Sequence, residues 1–145
     1  MNANIIPATE SDYPALIKVW EASVRASHDF LPEDYLQEIK SLLPSIFPHV
    51  RIVVVKDKQG NIAGFLGTGE DKIEMLFIRP DMQGINIGSL LTRYAINQLQ
   101  IRKVDVNEQN PRALGFYERM GFVITRRNEL DSMGRPFPIL EMELK

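Results

Sequence analysis

The turn at residues 79–89 has the composition of an anion-binding site. It joins a hydrophobic strand to an amphipathic helix and carries Gly84 and Gly88. Glycines at a helix start let backbone N–H groups approach an anion closely, and the helix dipole adds partial positive charge there. The turn could therefore hold a pyrophosphate. Its spacing matches neither a dinucleotide fingerprint nor a P-loop, so an ordinary strand–helix connection is an equally good interpretation of this turn taken alone.

Reactive side chains are scarce in the rest of the sequence. The 145 residues include no cysteine and only two histidines, His28 and His49. A chain without cysteine forms no disulfide, iron–sulfur site or thiol nucleophile, and two histidines leave little material for a metal centre. We therefore expect no metal. His49 lies between Pro48 and a buried strand, and we expect it to be structural.

Gln83, Asn86 and Gly88 have the spacing Gln/Arg-x-x-Gly-x-Gly/Ala, and residues 110–122 contain a second motif. Together the two segments resemble the GNAT family of N-acetyltransferases, whose coenzyme A signature has the first spacing. Asn86 replaces the first glycine, and we expect the turn to survive because asparagine tolerates the left-handed region. The second segment is similar to the family's Asn-x-x-Ala-x-x-x-Tyr-x-x-x-Gly-Phe helix. Its matching residues are Asn110, Ala113, Tyr117, Gly121 and Phe122.

The resemblance extends over residues 5–144 and is to small bacterial single-domain members. It implies an enzyme that moves the acetyl group of acetyl-CoA, its cosubstrate, directly to a primary amine of a small molecule or a protein in a ternary complex. It also implies that Asn110 contacts the pantetheine arm and that Tyr117 is the general acid for the CoA thiolate. From the residues alone, Asn110 could simply cap a helix and Tyr117 could be a core aromatic residue.

The resemblance also implies how the cofactor is held. The strand at residues 73–78 would accept the pantetheine, and the N–H of Leu76 or Phe77 would stabilise the thioester oxyanion. Backbone N–H groups of residues 83–89 would hold the pyrophosphate, with Arg79, Arg93 or Arg119 near the remaining phosphate. The implied cofactor-binding residues are Leu76, Phe77, Ile78, Gln83, Gly84, Ile85, Asn86, Ile87, Gly88, Ser89, Asn110 and Tyr117.

The amine acceptor requires a route for its proton. An alkyl amine with a pKa of about 10 is mostly protonated at neutral pH, so a base or a water relay must act before attack. Glu74 is one candidate, because it lies on the strand that would carry the thioester. His28 is the other, because its pKa suits the task and the first inter-helix loop of the family usually forms the acceptor wall. The acceptor itself stays open among polyamines, amino acids, antibiotics, metabolites and protein amines.

Hydrophobic periodicity, together with the positions of capping residues, prolines and glycines, predicts the helices and strands that would position these residues. Thr9 and Asp12 predict a helix start, Pro44 and Pro48 a helix end, and Gly121 a left-handed cap. The predicted helices are 10–26, one from Pro32, one through 87–95 and one from Pro111 after Asn110; the predicted strands are 5–6, 51–56, 62–67, 73–78, 103–106, 122–125 and 139–144. The order is β-α-α-β-β-β-α-β-α-β-β.

This order predicts an α+β (α/β) fold in one domain over residues 1–145. The sheet would be mixed, with a right-handed parallel crossover at the third helix. The resemblance implies a mostly antiparallel GNAT-type sheet of about seven strands flanked by four helices.

The amino-acid composition excludes some classes of partner and function. With 44% hydrophobic and 25% charged residues and a net charge of −2, the chain has ordinary globular composition and no basic field for nucleic acid. Neither a signal-peptide pattern nor a long apolar run is present, so we expect a cytoplasmic protein without membrane contact. The sequence is compatible with a homodimer. The competing hypotheses are a non-catalytic acyl-CoA sensor and a generic mononucleotide-binding or protein-interaction domain.

Overall fold

The computed structural model describes residues 4–145. Across these residues the chain forms a seven-stranded sheet in the order β1-β2-β3-β4-β5-β7-β6. The strands are β1 (Ile5–Pro7), β2 (Arg51–Lys56), β3 (Ile62–Thr68), β4 (Lys72–Ile78), β5 (Lys103–Asn107), β6 (Phe122–Asn128) and β7 (Ile139–Leu144). The β4–β5 pair is parallel and the other neighbours are antiparallel. The predicted fold class is therefore confirmed.

Two helices cover one face of the sheet. They are α1 (Tyr13–Ser27) and α2 (Glu33–Ile46), and a 3-10 turn precedes α1 at Glu10–Asp12. The predicted start holds, because the Thr9 N–H donates to Asp12 Oδ2 at 2.8 Å. Side chains such as Trp20, Leu43 and Phe65 pack between these helices and the sheet. On this face α1 also contacts β4.

The prediction that Pro44 ends the second helix is wrong, and Pro32 is not the first helical residue. The helix begins one residue after Pro32, whose carbonyl accepts from the Leu36 N–H at 3.0 Å. Pro44 lies inside the last turns of α2, where it removes one backbone donor. The helix continues because Leu43 and Phe47, on either side of Pro44, are buried against the sheet.

Helices α3 (Ile87–Gln98) and α4 (Pro111–Arg119) cover the opposite face of the sheet. The chain passes from β4 through α3 to the parallel strand β5, as the crossover prediction requires. Asn110 Oδ1 accepts from the Ala113 N–H at 3.2 Å and caps α4, while Gly121 follows the helix with φ +104°. Both predicted ends of α4 are confirmed.

No helix within residues 4–145 is long and apolar enough to cross a bilayer. The longest helix of this part, α1, has 15 residues, whereas a span needs roughly 20 apolar residues.

Strands β4 and β5 part after a short pairing. Their register includes only Lys72 with Lys103 and Ile73 with Val104. On the other edge of β4, the pairing with β3 shifts at Glu74, which is the extra residue of a β-bulge. Beyond the bulge, the β5-facing edge of β4 has no strand beside it, and this opening is where the candidate site lies.

Candidate active site

A cavity of about 430 Å³ runs from the parted strands to the start of α3. Its walls come from the end of α1, the second half of β4, the turn before α3, and α4. The lining residues are Ser23, Ser27, His28, Leu76, Phe77, Ile78, Met82, Gln83, Gly84, Asn86, Ile87, Gly88, Ser89, Asn110, Arg112, Ala113, Phe116, Tyr117 and Arg119. The structure thus brings together His28, Tyr117 and all the predicted cofactor residues except Ile85, which is 45% exposed and does not line the cavity.

The register of β4 distinguishes Leu76 from Phe77. The Arg79 N–H donates to the Ala63 carbonyl at 2.8 Å, and Arg79 and Ala63 are opposite in the β3–β4 register. Hydrogen-bonded and non-hydrogen-bonded pairs alternate along an antiparallel ladder. The Phe77 N–H therefore faces Phe65 on β3, and the N–H groups of Leu76 and Ile78 face the gap beside β5. Only the Leu76 group, of the two predicted oxyanion donors, is directed at the opening.

Unpaired backbone N–H groups converge at the start of α3. Gly84 has φ +88° and Asn86 has φ +65°, so the predicted left-handed conformation of Asn86 is confirmed. The first intrahelical bond of α3 runs from the Leu90 N–H to the Asn86 carbonyl at 3.0 Å. The N–H groups of the first three helical residues, Ile87–Ser89, therefore have no intrahelical acceptor and border the cavity.

The structure leaves room for a side chain at position 88 of α3. A Cβ at Gly88 would meet Phe116 at no less than 3.6 Å, which is ordinary van der Waals contact. The protein's own packing therefore does not require glycine at this position. An anion lying against the first turn of α3 would require it, because a methyl group would occupy that space.

Asn110 has polar atoms left for a ligand after capping α4. Its side chain is buried, with 8% exposure, and borders the cavity. Because Oδ1 accepts the capping bond, the amide nitrogen keeps both of its N–H donors. The two roles considered for Asn110, helix capping and ligand binding, are therefore compatible in one side chain.

Tyr117 is buried at the cavity wall, with 6% of its surface exposed. Its ring packs edge-on against Phe116 and Phe122, with centroids 5.0 and 5.7 Å away. Within residues 4–145 its hydroxyl has no hydrogen-bond partner, and burial raises the pKa of that hydroxyl well above its usual value. The group therefore stays protonated at neutral pH and is free to donate to a ligand.

His28 borders the same cavity and lies immediately after α1. Its ring packs at 5.3 Å from that of Phe30, and its Nδ1 lies 2.8 Å from the Ser27 hydroxyl oxygen. Burial lowers the pKa of His28 from 6.5, and the charge of Asp29 opposes this shift. The imidazole is therefore neutral at pH 7 and able to accept a proton.

Glu74 does not line the cavity. The bulge directs its carboxylate over Gly69, where a Cβ would lie 3.2 Å from Glu74 Oε1. Burial raises the pKa of Glu74, Lys72 lowers it, and the charges of Asp105 and Asp71 raise it further. Of the two candidate bases, the structure brings only His28 into the cavity.

Of the three arginines predicted as alternatives near the remaining phosphate, one borders the cavity. Arg79 is held by Asp57 at 2.9 Å and by Asp81 at 2.9 Å, and Arg93 does not line the cavity. Arg119 does line it, together with Arg112, whose Nη2 donates to Gln83 Oε1 at 3.2 Å. Arg112 was missed because a charge on a helix surface carries no distinguishing pattern.

The parted parallel strands, the open N-terminus of α3 and the buried Tyr117 border one cavity. The chain belongs to the GNAT acetyltransferase family: the family described as "Acetyltransferase (GNAT) domain" matches residues 33–144. Two relatives are similar over most of their length. The peptidyl-lysine N-acetyltransferase YjaB of Salmonella typhimurium is 36% identical over 98% of both chains. Its Escherichia coli counterpart is 35% identical over 88% of this chain and 86% of its own.

Solved structures show the same architecture. The solution structure of apo YjaB from Escherichia coli has a TM-score of 0.90 at 33% identity, covering 99% of this chain and 97% of its own. The PaiA N-acetyltransferase of Thermoplasma acidophilum, solved with coenzyme A, has a TM-score of 0.77 at 18% identity and covers 100% and 99%. The family match and the two relatives identify the chain as an acetyltransferase, which favours the enzyme over the sensor and interaction-domain alternatives.

Proposed function

We propose that this enzyme transfers the acetyl group of acetyl-CoA directly to the ε-amine of a protein lysine in a ternary complex. The observation that carries the proposal is one continuous cavity that joins the open N-terminus of α3 to His28 through the gap beside β4. The relatives named as peptidyl-lysine N-acetyltransferases support lysine as the acceptor.

The cofactor would lie along this cavity from the start of α3 to the gap beside β4. Its pyrophosphate would accept bonds from the N–H groups at residues 83–89, with Arg112 and Arg119 near the phosphates. The amides of its pantetheine arm would pair with the free edge of β4 at Ile78 and with the Asn110 amide nitrogen. This arrangement would place the thioester between Leu76 and Tyr117.

The transfer step would use two groups near the thioester. The lysine nitrogen attacks the carbonyl carbon, and the Leu76 N–H stabilises the oxygen that gains negative charge. The C–S bond then breaks, and Tyr117 gives its proton to the departing sulfur. The new amide nitrogen releases its extra proton, and Tyr117 regains one from solvent, so each turnover yields an acetylated lysine, free CoA and one proton.

His28 would remove a proton from the acceptor amine. The lysine ammonium must lose a proton before attack, and the neutral imidazole in the cavity can accept it. His28 lies on the side of the gap opposite to α4, where the acceptor must enter if the cofactor occupies the start of α3. The resulting imidazolium returns its proton to solvent after the transfer.

An amine panel tests this function. The purified chain is incubated with acetyl-CoA and, separately, lysine peptides, peptides with a free N-terminus but no lysine, polyamines, free amino acids and aminoglycosides, while CoA release is followed. We expect release with the lysine peptides and acetylation at the ε-nitrogen by mass spectrometry. Turnover restricted to small amines or to peptide N-termini would refute lysine as the acceptor.

A further inference from the structure

Three polar residues at the end of α1 form one wall of the cavity. Ser23 and Ser27 are four residues apart, so they lie on the same face of the helix. His28 follows directly, and all three border the cavity. Ser23 is buried, with 6% exposure, and Ser27 and His28 are half-buried, so this wall is a polar surface inside the site.

A hydrogen-bond chain runs through this wall. The Ser27 hydroxyl oxygen lies 2.8 Å from the Ser23 carbonyl oxygen and 2.8 Å from His28 Nδ1. A hydroxyl has a single hydrogen, and a carbonyl oxygen can only accept. The Ser27 hydrogen is therefore donated to Ser23, and the hydrogen in the second bond must come from Nδ1 of His28.

This chain determines which ring nitrogen of His28 can act as a base. In a neutral imidazole one nitrogen carries the hydrogen and the other carries a lone pair, and the partner of one decides the state of the other. With Nδ1 protonated toward Ser27, Nε2 has the free lone pair. The His28 N–H donates to the Val24 carbonyl at 2.7 Å, which holds the backbone from which the ring extends.

We propose that Ser27 is a positioning residue that holds His28 in the Nδ1-protonated tautomer and so presents Nε2 to the acceptor amine. The inference rests on the proposed function for its catalytic consequence. One ammonium proton moves to Nε2, and the Nδ1–H bond to Ser27 remains in place in the imidazolium. That bond becomes charge-assisted and therefore stronger at the moment when the base is protonated.

Nitrogen NMR of the histidine rings tests the tautomer without using activity. Protein labelled with ¹⁵N at histidine gives separate signals for Nδ1 and Nε2, whose chemical shifts identify the protonated nitrogen. We expect the Nδ1-protonated form for His28 in the wild type, a shift toward the Nε2-protonated form in Ser27→Ala, and recovery in Ser27→Thr. His49 is an internal reference, because it lines a separate cavity with Thr68 and Ile101.

A matched control removes a similar hydroxyl elsewhere. Ser45 on α2 donates to the Leu42 carbonyl at 2.8 Å and does not line the cavity, so Ser45→Ala should leave the His28 signals and the rate unchanged. For Ser27→Ala we expect kcat to fall about tenfold with KM for acetyl-CoA nearly unchanged, since only the base is mispositioned.

The outcomes separate this inference from the function on which it rests. An Nε2-protonated His28 in the wild type, or an unchanged tautomer in Ser27→Ala, would overturn the role of Ser27 whatever the rates. A tautomer that shifts in Ser27→Ala supports the positioning role. If His28→Ala then has the wild-type rate, the role of His28 as base is refuted while the tautomer result stands.

Discussion

Removing the hydroxyl of Tyr117 should slow acetyl transfer without disturbing the fold. The Tyr117→Phe substitution keeps the ring contacts with Phe116 and Phe122. The hydroxyl has no hydrogen-bond partner within residues 4–145, so its loss leaves no orphaned group behind. We therefore expect the free energy of unfolding to change by less than about 1 kcal/mol.

The expected loss of rate follows from the role of the hydroxyl. A positioned general acid contributes about 10²–10⁴-fold to a rate, so kcat should fall by at least about a hundredfold. This corresponds to about 2.7 kcal/mol of transition-state stabilisation. Acetyl-CoA affinity should change only a few-fold, because most of the cofactor's expected contacts lie on β4 and at the start of α3.

The assay combines steady-state kinetics with calorimetry. Release of CoA thiol at saturating acceptor gives kcat, and titration with acetyl-CoA gives Kd. Tyr94→Phe is the matched control, because Tyr94 lies on α3, packs partly buried against the same core and does not line the cavity. A kcat for Tyr117→Phe within about threefold of the wild type would refute the acid role and leave Tyr117 as a core residue.

Three further predictions follow from the structure, and two of them concern the cavity. Gly88→Ala should leave thermal stability equal or higher, because alanine favours a helix, while calorimetry shows acetyl-CoA binding weakened about tenfold or more; unchanged affinity would contradict the anion site at α3. Burial lowers the pKa of His28 from 6.5. The imidazole therefore stays neutral, and able to act as a base, at pH 6.5, and the acidic limb of the kcat profile should lie below this pH. His28→Ala should abolish this limb and Glu74→Gln should not; the reverse result would make Glu74 the base. Asp131→Ala removes the bond from the Tyr35 hydroxyl and two bonds from backbone N–H groups, so urea unfolding should show a loss of about 1–3 kcal/mol with normal acetyl-CoA affinity. Unchanged stability would show that Asp131 does not hold the segment between β6 and β7, where the two N–H donors, Met133 and Arg135, lie.

The sequence was sufficient for the parts of the fold that depend on local chemistry. Asn110 before Pro111 and glycine at position 121 are cap residues whose preference is intrinsic, and the structure has both where they were predicted. Asn86 likewise adopts a conformation that its own backbone preference allows. The path of α2 through Pro44 was not predictable in this way, because burial of Leu43 outweighs a local rule.

The sequence was sufficient to predict most residues of the candidate site, but not the directions in which their N–H groups and side chains point. Leu76 and Phe77 are neighbours, and only the register with β3 shows which N–H faces the gap. Glu74 turns away from the cavity because a bulge falls on it, and Arg79 is held by Asp57, which lies 22 residues earlier. The Ser27 hydroxyl was missed because its role depends on one side-chain rotamer. The register of β4, the bulge at Glu74 and the Arg79–Asp57 ion pair depend on tertiary contacts that no local pattern encodes.

The most direct test of acetyl-CoA-dependent lysine acetylation follows the acetyl group itself. Acetyl-CoA labelled with ¹³C in the acetyl group is incubated with the enzyme and a lysine peptide, and the products are identified by mass spectrometry and NMR. We expect the label on the ε-nitrogen of lysine in the amount of CoA released, and no labelled enzyme as an intermediate. Label that remains on CoA, appears only as acetate, or accumulates on the enzyme would contradict direct transfer to lysine.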